Sequence, residues 1–287
     1  MLSGIQGQAT IDFLQLEPEV PFPFPWTPDQ FFDAMPETVK QEPRVLKPLP
    51  EAAFSAAYDL VIFGYQPWFL HPSQPTTAFL QSSDARILNG KKVITVIGCR
   101  NMWLNSQELV KQHLQRLGAT LCGNIVLHDT NPNTVSVRAI NRWMFEGKKE
   151  ADNKLPESGV QERDIQAAKR FGPAILQCAA IPGDSPGTQT ELVKLGAVDL
   201  DQGLILLEKR GVYNFRKWAG YIRAKGEPGN PARLGKVRLF QKLLYIAIDI
   251  LSPITNALGA LKSHLRRKEL EREKAYYQSL RVEEGKF

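Results

Sequence analysis

Residues 92–128 read KVITVIGCRNMWLNSQELVKQHLQRLGATLCGNIVLH. Lys92–Gly98 is a near-continuous apolar run rich in β-branched residues, which suits a strand buried on both faces. In Leu104–Leu117 the residues Leu104, Leu109, Val110, His113, Leu114 and Leu117 recur close to the helical period, and Gly118 stops the helix. Thr120–His128 is a second run of strand length. The stretch is therefore strand–helix–strand. Neighbouring parallel strands need a crossover of this length, so the fold class is α/β with a parallel sheet and flanking helices.

Working outward, Tyr58–Tyr65 (YDLVIFGY) is another buried-strand run. Ala9–Leu16 (ATIDFLQL) partly alternates and reads as an edge strand. Helices are expected at Thr76–Gln81, Val135–Glu146 and Gln161–Ala179, the last with Ile165, Ala168, Phe171, Ile175 and Cys178 at spacings of three and four. Residues 180–230 are punctuated by Gly and Pro. They hold a helix near Thr188–Leu195, an apolar run Leu204–Leu207 and an aromatic, basic helix near Tyr213–Ala224. Trp218 and Tyr221 share one face of that last helix, where packing on the body outweighs stacking on RNA. Residues 17–50 are dense in proline, from Pro18 to Pro50, which forbids a regular helix or central strand. The segment reads as an ordered insertion with one short helix, Pro28–Ala34. It is either a strap over the sheet edge or a substrate lid.

The 287 residues are 43% apolar and 23% charged, which excludes a disordered or collagenous chain. Three cysteines cannot make a disulfide framework and point to a reducing compartment. No basic stretch followed by an apolar core marks a signal peptide in the first thirty residues. The net charge of +6 is not spread over the chain. Residues 1–232 hold 24 basic and 24 acidic residues, whereas residues 233–287 hold 12 and 6. The organisation expected is a body over 1–150 carrying the insertion 17–50, a helical extension over 151–232 packed on it, and a basic amphipathic tail over 233–287.

In an open parallel sheet, ligands sit at the carboxyl ends of the strands. Two such ends are chemically dense. After Tyr65 come Gln66, Pro67, Trp68, Phe69, Leu70 and His71; after Gly98 come Cys99, Arg100, Asn101, Met102 and Trp103. Together they suit a flat, conjugated, partly anionic ligand stacked on Trp, with Arg100 neutralising charge. Each Trp taken alone reads better as a plug for the top of the core, and only the two loops together favour a site. His71 and His128 are candidate acids or bases, set against the plain role of hydrogen-bonded surface histidines. Cys99 lies beside Arg100 but has no histidine next to it in sequence, so a buried structural thiol is favoured over a nucleophile. The histidines are too scattered for a metal site, and no P-loop, GxGxxG or GxSxG motif occurs.

The segments FPFPWTPDQFFDAMPE (22–37), YDLVIFGYQPWFLHPSQPTTAFLQS (58–82) and VITVIGCRNMWLNSQE (93–108), followed by GNIVLHDTNPN (123–133) and LLEKRG (206–211), resemble the bacterial dialkylresorcinol condensing enzyme family. The resemblance implies a flavodoxin-like fold and a part in making dialkylresorcinol lipids related to flexirubins and aryl polyenes. There, a partner ketosynthase joins two acyl chains into a hydrophobic dialkyl-cyclohexanedione, and the flavodoxin-like member carries out the aromatising oxidation. It implies FMN held by Tyr65, Gln66, Pro67, Trp68 and the loop Cys99–Trp103, with Arg100, His71 and His128 as catalytic residues. The flavodoxin strand order is 2-1-3-4-5, with the phosphate loop after the central first strand. Ala9–Leu16 would match the second strand, so the first strand and its phosphate loop are missing from this reading, and FMN binding is in doubt on that ground. The competing reading is a flavin-free, membrane-docked partner of the ketosynthase.

Phe240–Leu261 is the most hydrophobic stretch, with Gln241, Tyr245, Asp249, Ser252 and Asn256 as a polar stripe and basic residues on both sides. Lys242, Asp249 and Pro253 argue against a spanning helix. The pattern reads as an interfacial helix on an anionic membrane, weighed equally against an ordinary packed helix. Arg266–Arg281 reads as a solvated, mixed-charge helix. The expected location is the bacterial cytoplasm, peripheral to the inner membrane. Nucleic acid is disfavoured because the basic excess adjoins an apolar stripe, and a homodimer is one option for such a domain.

Overall fold

The computed structural model describes residues 1–181, 183, 186–248, 267–283 and 285–287. Thr27 opens the first helix with a capping box closed by Gln30, and Pro28 supplies the fixed first turn of α1 (Pro28–Asp33). α2 (Met35–Lys40) follows after Ala34 and buries Met35, Pro36 and Val39. α3 (Glu51–Ser55) leads into β1 (Val61–Tyr65). A small hairpin comes next, β2 (Pro67–Trp68) and β3 (His71–Pro72), followed by α4 (Gln74–Gln81), which Ser73 caps. The remaining order is β4 (Lys92–Cys99), α5 (Leu104–Arg116), β5 (Thr120–His128), α6 (Asn133–Glu146), α7 (Glu162–Ala167), α8 (Gly172–Ala180), α9 (Pro186–Lys194), α10 (Gln202–Arg223), α11 (Pro231–Ile246) and α12 (Arg267–Gln278).

Three of the four predicted strands form one parallel sheet in the order β1-β4-β5. β4 is central and its run Val93, Ile94, Thr95 and Ile97 is buried on both faces, as its unbroken apolar pattern requires. Register pairs Tyr65 with Ile97 and Cys99 with His128. The chain therefore leaves β4 and β5 side by side, and Asp129 N–H donates to the carbonyls of both Cys99 and Arg100 at 3.1 Å.

The outer edge of β5 is closed rather than left open. Asn124 N–H donates to Gln189 Oε1 of α9 at 2.8 Å, and Val126 N–H to Ala197 O at 2.8 Å. These bonds occupy groups that would otherwise template pairing with another strand. Gly123 makes the approach of α9 possible, since a Cβ there would lie 2.6 Å from Leu192 Cδ1.

Across the sheet runs a buried polar chain. Tyr65 OH donates to Gln107 Oε1 (2.6 Å), Gln107 Nε2 to Thr95 Oγ1 (3.0 Å), and Thr95 Oγ1 to Asn124 Oδ1 (3.0 Å). Every member is paired, as burial of polar groups demands.

A second core lies under the proline-rich insertion. Phe32, Met35 and Val39 from α1 and α2 pack on Ala219 and Ile222 of α10 and on Val237 and Phe240 of α11. Arg233, fully buried, pins this layer. Its guanidinium pairs with Glu37 (2.8 and 3.0 Å) and with Asp33 through Oδ1 (2.9 Å) and the carbonyl (2.8 Å). The insertion is thus an ordered, core-forming layer, and beside it Trp68 meets Phe22 and Trp26 edge to face while Phe22 and Trp26 lie tilted to one another.

Four expectations change. Ala9–Leu16 is not a strand: only an isolated bridge joins Gln6 to Ala9, and Phe13 is 79% exposed. Ile11 and Leu16 still pack on the core, which accounts for the partial apolar pattern. The helix expected over Gln161–Ala179 is broken into α7, a 3-10 turn Ala168–Phe171 and α8, which restarts at Gly172-Pro173. The run Leu204–Leu207 and the helix near Tyr213–Ala224 are one 22-residue helix, α10. The helix expected to be solvated over Arg266–Arg281 is α12, and it buries Leu270, Tyr276 and Tyr277. Tyr276 OH donates to Glu108 Oε2 at 2.7 Å beside the buried Glu108–Lys111 pair. Residues 249–261 of the apolar stretch 240–261 lie outside the described residues.

Candidate functional site

A pocket of about 400 Å³ opens at the carboxyl ends of β4 and β5, where the topology of open α/β sheets places ligands. Arg100 and Asn101 enter it from the loop after β4; His128, Asp129, Thr130 and Asn131 enter from the loop after β5. Asn133 and Ser136 come from the first turn of α6, and Leu200, Leu204 and Leu207 form an apolar wall at the start of α10. Asp199, Asp201 and Glu208 complete the lining.

Three helix N-termini meet here, each handled differently. α10 is capped locally, with Asp201 Oδ1 accepting from Gly203 N–H at 2.8 Å. α5 has no cap of its own in sequence. Glu208, more than a hundred residues downstream, supplies it by accepting from Trp103 N–H (3.2 Å) and Asn105 N–H (2.9 Å). Burial pushes the Glu208 carboxyl up to about 8, against the downward pull of those backbone amides. α6 starts behind Pro132 with no side-chain cap. Its Asn133 Oδ1 instead accepts from Asn101 Nδ2 at 3.2 Å and from Arg100 Nη1. This ties the β4 loop to α6. Burial lowers the Arg100 guanidinium from its ordinary value, and the nearby Asp129 raises it.

Asp129 is the pivotal group. It is 5% exposed. Its Oδ1 accepts from Asn131 N–H (2.9 Å) and Nδ2 (2.8 Å), an Asx turn that fixes the carboxylate. Among the described residues, its Oδ2 has no hydrogen-bond partner, and neither does Ser136 Oγ on the same pocket wall. An unmatched buried acceptor beside a cationic Arg is what a pocket offers to a ligand carrying one donor and one acceptor.

Of the residues singled out in sequence, the pocket gathers Arg100, Asn101, Trp103 and His128. It does not gather the other loop. Trp68 packs edge-on against Phe22 (5.0 Å) and Trp26 (6.0 Å). Tyr65 spends its hydroxyl on Gln107, and burial raises it well above its usual range. Gln66 O accepts from Ser73 N–H at 3.1 Å, and Gln66 and Pro67 belong to the hairpin rather than the pocket. His71 is 1% exposed, its Nδ1 bonds the Phe69 carbonyl (2.8 Å), and burial holds it down to about 4. Cys99 and Met102 do not line the pocket, and burial pushes the Cys99 thiol up, away from nucleophile character. The pocket also holds Asp129, Asn131, Ser136 and Glu208, none of them a candidate from sequence. The HDTNPN stretch carried a signal for the first two: an Asx turn, then Pro at a helix start. Nothing local marks Glu208.

These residues do not fit FMN. Trp103 is 2% exposed, so its ring offers no open stacking face, and Trp68 is engaged elsewhere. A phosphate dianion would meet Asp129, Asp199 and Asp201 with Arg100 as the cation lining the pocket. No group of three or more His, Cys, Asp or Glu side chains placed to hold a metal ion occurs among the described residues. No family model matches the chain, and neither a curated protein nor a solved structure matches it.

Proposed function

We propose that the pocket binds a cyclic 1,3-dione in its enol form and moves protons on it, as a step in aromatising a dialkyl-cyclohexanedione. The observation that carries this is the unpartnered, buried Asp129 Oδ2 beside Arg100. The enol of a 1,3-dione has one O–H for the carboxylate and one carbonyl for the guanidinium. Leu200, Leu204 and Leu207 offer the apolar wall that alkyl substituents need. Arg100 and Asn101 stabilise negative charge on the carbonyl oxygen as the ring carbon loses its proton. His128, in the same pocket, is the candidate acceptor for that proton.

The side-by-side order of β1, β4 and β5 is the order of strands three to five of a flavodoxin-like sheet, which supports the resemblance at the level of fold. Aromatisation of the dione removes two protons and two electrons. The pocket's side chains serve the proton part, and no step is assigned here to a flavin. The closed rings of Trp68 and Trp103 favour a second reading of the same site, a flavin-free dione-binding partner of a ketosynthase.

The test is deuterium exchange at the ring carbons next to the carbonyls of a 2,5-dialkylcyclohexane-1,3-dione, followed by NMR. The wild-type chain should accelerate exchange, and Arg100→Gln and His128→Gln should each lower the acceleration by about 10²-fold or more. Exchange no faster than in buffer would leave the flavin-free binding reading, which a titration of the dione against the matching monoketone decides. Absorbance of the purified chain without a flavin band agrees with the misfit found above, whereas stoichiometric flavin would refute that misfit.

A further inference from the structure

We propose that α11 docks the chain on an anionic bilayer. This surface is separate from the pocket and does not depend on what the pocket binds. One face of α11 is spent on the protein: Arg233, Val237 and Phe240, at helical spacing, are buried against α1, α2 and α10. The other face carries Leu239 (43% exposed), Leu243 (43%) and Ile246 (49%), again at spacings of four and three. A solvent-facing helix side is ordinarily polar, so three large aliphatic side chains in one row leave an apolar stripe for a partner.

Charge selects the partner. Lys242 is exposed on the next position to Leu243, and Arg238 is exposed beside Leu239. Arg238 is held by Asp29 of α1 at 2.7 Å, and Lys236 Nζ bonds Tyr221 OH of α10. Lys242 therefore presents charge at the stripe, within the segment 233–287 that holds the whole +6 excess. A second copy of the chain would set Lys242 against its own twin around a two-fold axis, which like-charge repulsion opposes. Anionic lipid headgroups are complementary, and the row of aliphatic side chains suits the boundary beneath them. The helix lies along the surface: no helix among the described residues is long and apolar enough to cross a membrane. In sequence the same character continues, with apolar residues to Leu261 and then Lys262, Arg266, Arg267 and Lys268.

The experiment is cosedimentation of the full chain with phosphatidylcholine vesicles with and without phosphatidylserine. The chain should bind the phosphatidylserine vesicles and be released by salt. The triple variant Leu239→Gln, Leu243→Gln, Ile246→Gln should lower partitioning about tenfold or more. These side chains are exposed, so an unchanged thermal midpoint confirms an intact fold. Lys242→Gln should weaken binding to a lesser degree and flatten its salt dependence. No binding to phosphatidylserine vesicles, or equal binding by the triple variant, overturns the proposal. A dimer in solution that the triple variant dissolves, without vesicle binding by the wild type, makes a second copy the occupant instead.

Discussion

Glu208 gives stability a pH dependence of known sign. Its carboxyl sits at about 8 in the fold against 4.5 in a free side chain, with burial as the main cause. Between those values the folded chain holds a proton that the unfolded chain has released. Stability is therefore full below about pH 4.5 and falls as pH rises to 8. Each pH unit in that window is worth about 1.4 kcal/mol, so the whole contribution is roughly 5 kcal/mol as an upper bound. His71 acts in the opposite sense. It sits at about 4 against 6.5, so the unfolded chain binds the extra proton, and stability is gained as pH rises from 4 to 6.5, by about 3 kcal/mol. Below pH 6.5 the two slopes oppose one another, with the lowered His113 acting in the sense of His71 and the raised Glu108 in the sense of Glu208, and above it the histidine slopes end while that of Glu208 continues. Urea unfolding of the wild type should thus show stability falling from pH 6.5 to 8 more steeply than between pH 5 and 6.5. Glu208→Gln keeps at most part of the α5 cap and is expected to start about 1 kcal/mol lower at pH 5. Because it cannot titrate, it should lose the fall above pH 6.5. Parallel profiles for the two proteins would refute the reasoning, whatever their absolute stabilities.

Arg233→Met removes the cation from between Glu37 and Asp33 and strands buried carboxylates, so it should cost about 3–5 kcal/mol in urea unfolding. The deficit should shrink on acidification, since protonation removes the stranded charge. A cost under about 1 kcal/mol would mean that Arg233 does not pin the insertion. Tyr65→Phe leaves Gln107 Oε1 without its 2.6 Å donor inside the sheet and should cost about 1–3 kcal/mol in the same assay, with no change in ligand binding at the pocket.

The sheet was legible because its strands are buried on both faces, and each leaves an unbroken apolar run with the crossover helix spelled out between β4 and β5. The failures have a common physical origin. Ala9–Leu16 half-alternates because Ile11 and Leu16 touch the core, yet no strand lies beside it to complete a ladder. Gly211 falls inside α10, within the stretch 180–230 whose Gly and Pro content reads as punctuated. Space rather than flexibility explains it, since a Cβ there would lie 2.7 Å from Leu70 Cδ1. At the site, Arg100 and His128 were readable because position at a strand's carboxyl end is a local property. The assumption that both loops shared one ligand was not, because Trp68 is claimed by Phe22 and Trp26, some forty residues earlier in the chain. Glu208 was invisible for the same reason. Its partner is a helix terminus about a hundred residues away, brought close by tertiary packing alone.

The account rests on Asp129 and Arg100 acting as a matched acceptor and donor for an enol. Calorimetric titration, in buffer acidic enough to keep the dione as its neutral enol, of a 5-alkylcyclohexane-1,3-dione against the matching 3-alkylcyclohexanone tests this most directly, because the two then differ in the enol O–H while keeping ring and chain. The wild type should bind the dione at least about tenfold more tightly, and Asp129→Asn should abolish that preference while leaving the weak ketone affinity in place. Equal affinities in the wild type, or a preference that survives Asp129→Asn, would contradict it.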